Sequence, residues 1–134
     1  MKRFLLSVLC LATVAPFLRA ASKIDTLVIH PEETVYARFE VSPKKIKLVN
    51  VTKEPDAEAQ VIFSLTRDPA TKSLKLKVDN RFPHDLVYRA EIRAKTLGLH
   101  SPYRPTPVVA QKLAFEAMPA GVEEFAAFDF KLQK

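Results

Sequence analysis

The sequence predicts an all-β protein, an antiparallel β-sandwich of about seven or eight strands, with a small β-barrel as the alternative architecture. One observation is that prolines recur about every 12 to 14 residues, at Pro31, Pro43, Pro55, Pro69 and Pro83. Proline collects at strand ends and turns because it lacks the N–H that a central strand needs. A second observation is that short segments between these prolines alternate between apolar and polar residues, the pattern of strands with one buried face.

Eight segments can be assigned as strands in chain order. Five alternate clearly, and they span residues 35–41, 61–66, 74–79, 86–95 and 128–132. Three weaker segments, 26–30, 45–52 and 108–116, complete the set that favours a sandwich. Residues 111–118 also fit a short helix, but their alternation favours a strand. In the last strand, the alternation places Phe128, Phe130 and Leu132 on the buried face.

The first twenty residues have the layout of a secretory signal peptide. Lys2 and Arg3 precede an apolar run over residues 4–15, and cleavage is expected after Ala20. The run is shorter than the roughly 20 apolar residues that span a bilayer. We therefore expect a signal peptide at 1–20 and a single sandwich domain at 21–134. That domain would be periplasmic or secreted, with no integral membrane segment after cleavage.

Charge and cysteine content narrow the function classes. The whole chain carries a net charge of +6, and removing the leader with its three basic residues leaves about +3. The only cysteine, Cys10, lies inside the leader. The mature domain therefore has no disulfide, no thiolate metal site and no cysteine nucleophile. A nucleic-acid partner is not expected, because an exported protein rarely meets one.

One stretch carries a family resemblance. Residues 80–92 contain the turn Arg81-Phe82-Pro83-His84, which leads into a strand with Tyr88. This stretch resembles the corner between two strands of immunoglobulin-like and fibronectin-type sandwiches, and it is similar to small sandwich proteins of the bacterial envelope. The resemblance implies an immunoglobulin-like fold in which Tyr88 is a structural tyrosine corner, its hydroxyl bonding to backbone a few residues upstream. The Trp and the Cys pair of the antibody-type core are absent from the mature chain.

No catalytic signature is present in the sequence. There is no Gly-x-Ser-x-Gly nucleophile turn and no glycine-rich phosphate loop. The adjacent pairs Glu32-Glu33 and Glu123-Glu124 would point to opposite faces of a strand, which does not suit a paired acid–base site. We therefore expect a protein that is not an enzyme and holds no cofactor.

Three histidines support an alternative function, periplasmic handling of copper or zinc. They are His30, His84 and His100. Such a site needs at least two of them to converge, together with a carboxylate or Met118. No pair is spaced at i, i+2 or i, i+4, so separate surface positions without a bound metal are the preferred interpretation.

The longest irregular stretch, residues 96–107, is the candidate partner-binding loop. It carries three prolines, and the side chains of His100, Tyr103 and Arg104 are its candidate contacts. Long loops on a rigid scaffold are frequent binding sites. The expected partner is a protein or polymer of the cell envelope.

Two further surface features accompany this loop. Lysines cluster at 44–47 and at 72–77, where they either guard strand edges against aggregation or face an anionic surface. Tyr36, Ile62 and Val87 are predicted on outward faces, and they would form a partner patch with Tyr103 if they were neighbours.

The function predicted from the sequence is that of an exported, non-catalytic binding or accessory domain of the envelope. Metal handling is the alternative described above. A third hypothesis is a pilus-type chaperone that lends a strand to its subunits. Such chaperones resemble two sandwiches in tandem, and this chain has room for one.

Overall fold

The computed structural model describes residues 25–95 and 100–134, and these residues form nine strands and no helix. The strands are β1 (Thr26–Ile29), β2 (Glu33–Val41), β3 (Ile46–Thr52), β4 (Val61–Arg67), β5 (Leu74–Asn80), β6 (Asp85–Ala94), β7 (His100–Tyr103), β8 (Leu113–Met118) and β9 (Val122–Gln133). Eight of them match the predicted segments, and β7 is additional. The signal peptide predicted at 1–20 lies outside the described residues.

The strands form two antiparallel sheets. One has the order β1-β9-β6-β7 and the other the order β3-β2-β4-β5-β8. The two sheets do not close into a barrel, so the predicted all-β sandwich is confirmed and the barrel alternative is wrong. Within the described part of the chain there is no helix with the length and apolar character needed to cross a membrane.

The core lies between the sheets and is centred on aromatic rings from both. Phe39 and Phe63 come from the five-stranded sheet, and Tyr88, Phe125 and Phe130 come from the four-stranded sheet. The rings of Phe39 and Phe130 meet edge to face with centroids 5.0 Å apart. Edge-to-face pairs of this kind add to the free energy gained by apolar burial. The cluster therefore joins the sheets over the centre of the sandwich.

The predicted alternation is confirmed in β2, β5 and β6, whereas β4 is buried at five consecutive residues and one prediction on β9 is wrong. Phe128 is half-buried, and the Arg89 guanidinium carbon lies 5.4 Å from its ring centroid on the outer face of the sheet. The cause is a β-bulge, because Val87 pairs with Lys131 while Arg89 pairs with Phe128. Asp129 sits in this bulge with a φ of 57°. One extra residue reverses which side chains face the core.

Asn80, at the end of β5, organises one end of the sandwich. It is fully buried, and its Nδ2 donates to the carbonyls of His84 at 2.9 Å and Val108 at 3.0 Å. Its Oδ1 accepts the backbone N–H of Phe82 at 3.0 Å. Its own N–H donates to Lys112 O at 3.0 Å. This single amide therefore ties the β5–β6 turn to the segment that leads into β8.

Candidate functional site

Strand β8 is an edge strand of the five-stranded sheet with one unpaired side. It pairs only with β5, through all six of its residues and without a bulge. No hydrogen bond within residues 25–95 and 100–134 reaches the backbone of 113–118 from its other side. An edge of this kind presents N–H and C=O groups to which another strand can pair.

The outer face of β8 is apolar. Leu113 is 52% exposed and Phe115 is 58% exposed, and they are the largest of the exposed apolar side chains in the described residues. Lys77 pairs with Phe115 across the sheet, and the Lys75 Nζ lies 5.8 Å from the Phe115 ring centroid. We call this surface the β8 face, defined by Leu113 and Phe115 with Lys75, Lys77 and Asp79 beside them on β5.

The inner face of β8 explains this orientation. Met118 is buried and Ala114 packs against the core, so the odd-numbered residues between them must point outward. Glu116, also on the inner side, accepts hydrogen bonds from Thr106 N at 3.2 Å and from the Tyr103 hydroxyl at 3.4 Å. Glu116 therefore holds β8 against the segment that follows β7, and the more apolar face of the strand is left to solvent.

The edges of the four-stranded sheet differ from β8. Both β1 and β7 have only four residues, and β7 contains Pro102. Short edge strands and edge prolines are common means of preventing unwanted strand pairing. In comparison with both, β8 is longer and carries no proline.

The residues predicted as a partner-binding loop occupy a different setting from the one expected. His100 and Tyr103 belong to β7, which pairs with β6, and Arg104 follows exposed. Tyr103 packs edge to face on Phe125 with centroids 6.0 Å apart. Burial and the nearby Glu116 raise the pKa of Tyr103 above its usual range. The Tyr103 side chain therefore packs at the margin of the core. Residues 96–99 of the predicted loop lie outside the described residues.

The expected tyrosine-corner hydrogen bond does not form among the described residues. The Tyr88 hydroxyl is buried and has no hydrogen-bond partner among the described residues. Its ring stacks on Phe130 at 5.7 Å, and burial raises the pKa of Tyr88 well above its ordinary value. Asn80 instead bonds the backbone of the turn at Phe82 and His84, which is the role that the resemblance assigned to Tyr88.

Two of the three histidines, His30 and His100, approach one carboxylate, and His84 lies apart from them. His30 Nε2 lies 3.5 Å from one Glu124 oxygen, and His100 Nε2 lies 4.0 Å from the other. His84 lies beside the far end of β9, because its neighbour Asp85 pairs with Gln133. Glu124 and Gln133 are nine residues apart along β9, which separates them by roughly 25 to 30 Å. No cluster of three or more His, Cys, Asp or Glu side chains suited to a metal occurs in the described part of the chain.

The predicted patch of Tyr36, Ile62 and Val87 is split between the sheets. Tyr36 pairs directly with Ile62 on the five-stranded sheet, whereas Val87 lies on β6 in the other sheet. The condition left open by the sequence is therefore met by Tyr36 and Ile62 but not by Val87. Ile62 is also largely covered, with 9% of its surface exposed, so this pair offers less apolar surface than the β8 face.

Sequence reasoning did not single out Leu113 and Phe115. Their alternation identified the strand, but alternation alone does not show which face is buried. Only Met118 pointed to the correct inner face, and Lys112 and Glu116 on that same face favoured the opposite choice. Comparisons with protein-family models, curated proteins and solved structures found no match to this chain.

Proposed function

We propose that this chain is an exported, non-catalytic binding domain of the cell envelope that docks a partner protein on the β8 face. The signal-peptide layout of residues 1–20 supports export. The two antiparallel sheets support an immunoglobulin-like type of sandwich. Because the Tyr88 hydroxyl has no hydrogen-bond partner among the described residues, the tyrosine corner does not add support for this type of sandwich. The support comes from the two-sheet architecture and from the sequence of the β5–β6 turn.

One observation carries the proposal: two large apolar side chains are exposed on a strand whose backbone edge is unpaired. Exposed apolar surface bordered by charge is typical of protein interaction sites. An incoming extended segment would pair with the backbone of β8 and cover Leu113 and Phe115 with its own apolar residues. Because lysines lie beside the β8 face, we expect acidic residues in the incoming segment.

Site-specific photo-crosslinking tests this proposal directly. The change Phe115→p-benzoylphenylalanine places the reactive group on the β8 face, and Val87→p-benzoylphenylalanine places it on the outer face of the other sheet. We expect one dominant adduct with an envelope protein at position 115 and none at position 87. No adduct at position 115, or equal labelling at both positions, would overturn the proposal. An adduct of twice the chain mass would show that the docked partner is a second copy of this chain.

Charge insertion gives an independent test with a matched control. Phe115→Glu introduces a carboxylate on the β8 face, and Val49→Glu introduces one on β3, where Val49 is 41% exposed. Both sites are exposed, so the melting temperatures should stay close to that of the unchanged protein. The affinity for the crosslinked partner should fall at least about tenfold for Phe115→Glu only. Equal affinities of the two variants would contradict a role for the β8 face.

Handling of copper or zinc is the alternative function, and one contact bears on it. His30 and His100 both lie close to the Glu124 carboxylate. Two imidazoles and one carboxylate are suitable as three ligands of a single metal ion. Arg93 Nη2 already donates to that carboxylate at 3.3 Å, so a metal would have to displace a cation. Calorimetric titration of the protein purified after export with Cu(II) and Zn(II) tests this alternative. Micromolar binding that is lost in His30→Ala would favour it over the docking proposal.

A further inference from the structure

A pocket at one end of the sandwich collects lysine side chains. It has a volume of about 490 Å³ and lies between the β2–β3 turn, the β5–β6 turn and the end of β9. Its lining consists of Val41, Ser42, Pro43, Lys44, Lys45, Ile46, His84, Lys131, Leu132 and Lys134. The volume falls within the range of sites that hold small molecules.

The charged side chains of this pocket all have one sign. Four of its lining residues are lysines, and its described lining includes no Asp or Glu side chain. The ion pairs found among residues 25–95 and 100–134 include none of these four lysines. A concave site with unneutralised charges of one sign concentrates its field and raises the local concentration of counter-ions. The pocket is therefore suited to an anion.

The backbone that carries two of the lysines is fixed in place. Lys45 O accepts both the Ser42 backbone N–H and the Ser42 hydroxyl, each at 2.9 Å. Pro43 restricts φ between them. On the opposite wall, the His84 carbonyl is held by the buried Asn80 amide at 2.9 Å. Preorganised walls lower the entropy cost of binding a ligand.

Part of the wall is apolar. Val41 is 55% exposed at the end of β2, and it lies in the pocket with Leu132 and the buried Ile46. A small inorganic anion would use the lysines and leave this apolar wall in contact with water. A ligand that joins an anionic group to a hydrocarbon segment would use both.

The geometry points to a binding site for an anionic amphiphile in this pocket, which we call the lysine pocket. The phosphate or carboxylate group would lie among Lys44, Lys45 and Lys131, and the start of the hydrocarbon segment would lie against Val41 and Leu132. The lysine pocket takes its walls from both turns and from β9, whereas the β8 face lies on β5 and β8. The two proposals therefore stand on separate residues. This ligand chemistry is available either as a lipid headgroup in a bilayer or as a free amphiphile.

Two binding experiments on the protein purified after export separate those sources. Calorimetry with monomeric dihexanoylphosphatidylglycerol measures binding of a free amphiphile. Flotation with phosphatidylglycerol vesicles measures binding to a membrane, with phosphatidylcholine vesicles as the control of zero net charge. Binding in the first experiment alone assigns a free amphiphile, and binding in the second assigns a lipid surface. Absence of binding in both would overturn the proposal.

Two double charge reversals test whether the lysine pocket is the site. Lys44→Glu with Lys131→Glu alters the pocket, and Lys75→Glu with Lys77→Glu makes the same change in net charge on the β8 face. We expect the first pair to weaken binding at least about tenfold. The second pair should leave binding within about twofold, because distant surface charges are screened. Equal weakening by both pairs would show general electrostatic attraction and overturn a specific site.

A single substitution tests the apolar wall. Val41→Ser changes an exposed side chain, so the fold should be retained. We expect it to weaken binding of dihexanoylphosphatidylglycerol by about threefold, since apolar contact area is lost. Unchanged binding of that amphiphile would contradict a hydrocarbon segment at this wall.

Discussion

The two edges of the five-stranded sheet, β3 and β8, end the same sheet in opposite ways. β3 begins beside Lys45, carries Lys47 on its outer face and pairs with β2 through a bulge between Arg38 and Phe39. β8 pairs with β5 without a bulge, and its outer face presents Leu113 and Phe115. Lysines and bulges on an edge prevent pairing with other chains, and β8 has neither.

The β3 side is also fastened by polar contacts that β8 lacks on its outer face. Lys53 Nζ, just after β3, pairs with Glu33 Oε2 at the start of β2 at 2.6 Å. On the other side of β2, the Gln60 side chain just before β4 extends the β2–β4 pairing, since its Oε1 accepts Phe39 N–H at 2.7 Å and its Nε2 donates to Phe39 O at 3.0 Å. The difference indicates that exposure at β8 is a local property, since the same sheet protects its other edge.

The largest expected effect concerns the anchor of β8. Asn80→Ala removes four side-chain hydrogen bonds to backbone and leaves the buried Phe82 N–H without its acceptor. We expect a loss of about 3 kcal/mol in the free energy of unfolding, because buried polar groups without partners are costly. Urea denaturation measures it. Asn50→Ala, on the exposed surface of β3, is the control and should change the free energy by less than about 0.5 kcal/mol.

A pH effect of intermediate size is expected on the β3 side. Hydrogen bonding by Lys53 and His30 lowers the pKa of Glu33 to about 2. The folded state thus binds this proton less tightly than the unfolded state. The resulting stability is present above the ordinary glutamate pKa and is lost as the pH falls from about 5 to 2. Because solvent screens the exposed Lys53 partner, Glu33→Gln should remove between about 1 and 2 kcal/mol of this dependence. Glu54→Gln, at an exposed carboxylate, is the control and should leave the pH dependence of stability unchanged. Urea denaturation at about pH 5 and about pH 2 measures this dependence for both variants.

A smaller effect is expected where Gln60 meets β2. Gln60→Ala removes two hydrogen bonds to the Phe39 backbone, and we expect a loss of about 1 kcal/mol because the site is only part-buried. Gln133→Ala, at an exposed position near the end of β9, is the matched control. If the two variants unfold at the same urea concentration, the Gln60 amide does not stabilise the β2–β4 side of the sheet.

The strands with regular alternation are the part of the fold that the sequence predicts well. Alternation identified β2, β5 and β6 with their buried faces, because these strands place one face on the core over most of their length. It failed for Phe128, because a bulge inserts a residue and no local sequence pattern marks it. It also failed for β7, whose four residues are too short to show a period and which forms only by pairing with β6.

The same limit applies to the candidate sites. The lysines at 44–47 were recognised as a cluster, but Lys131 and His84 join them only through the fold. Phe115 was recognised as part of an alternating strand, and the burial of Met118 and Ala114 decides that it faces solvent. Which strands become edges depends on pairing between distant segments, and that pairing is not written in any one segment.

The smallest expected effect is at Tyr88, whose polar group is treated differently from that of Gln60. Beside β2 the part-buried Gln60 amide makes two hydrogen bonds to backbone, whereas behind β8 the Tyr88 hydroxyl is buried without a partner in the described residues. Tyr88→Phe removes that hydroxyl and keeps the ring that stacks on Phe130. We expect the free energy of unfolding to stay the same or rise by up to about 1 kcal/mol, because an unsatisfied buried group is lost. A loss above about 1 kcal/mol in urea denaturation would show that the hydroxyl does hold a hydrogen bond in solution, and the tyrosine corner would then regain its support.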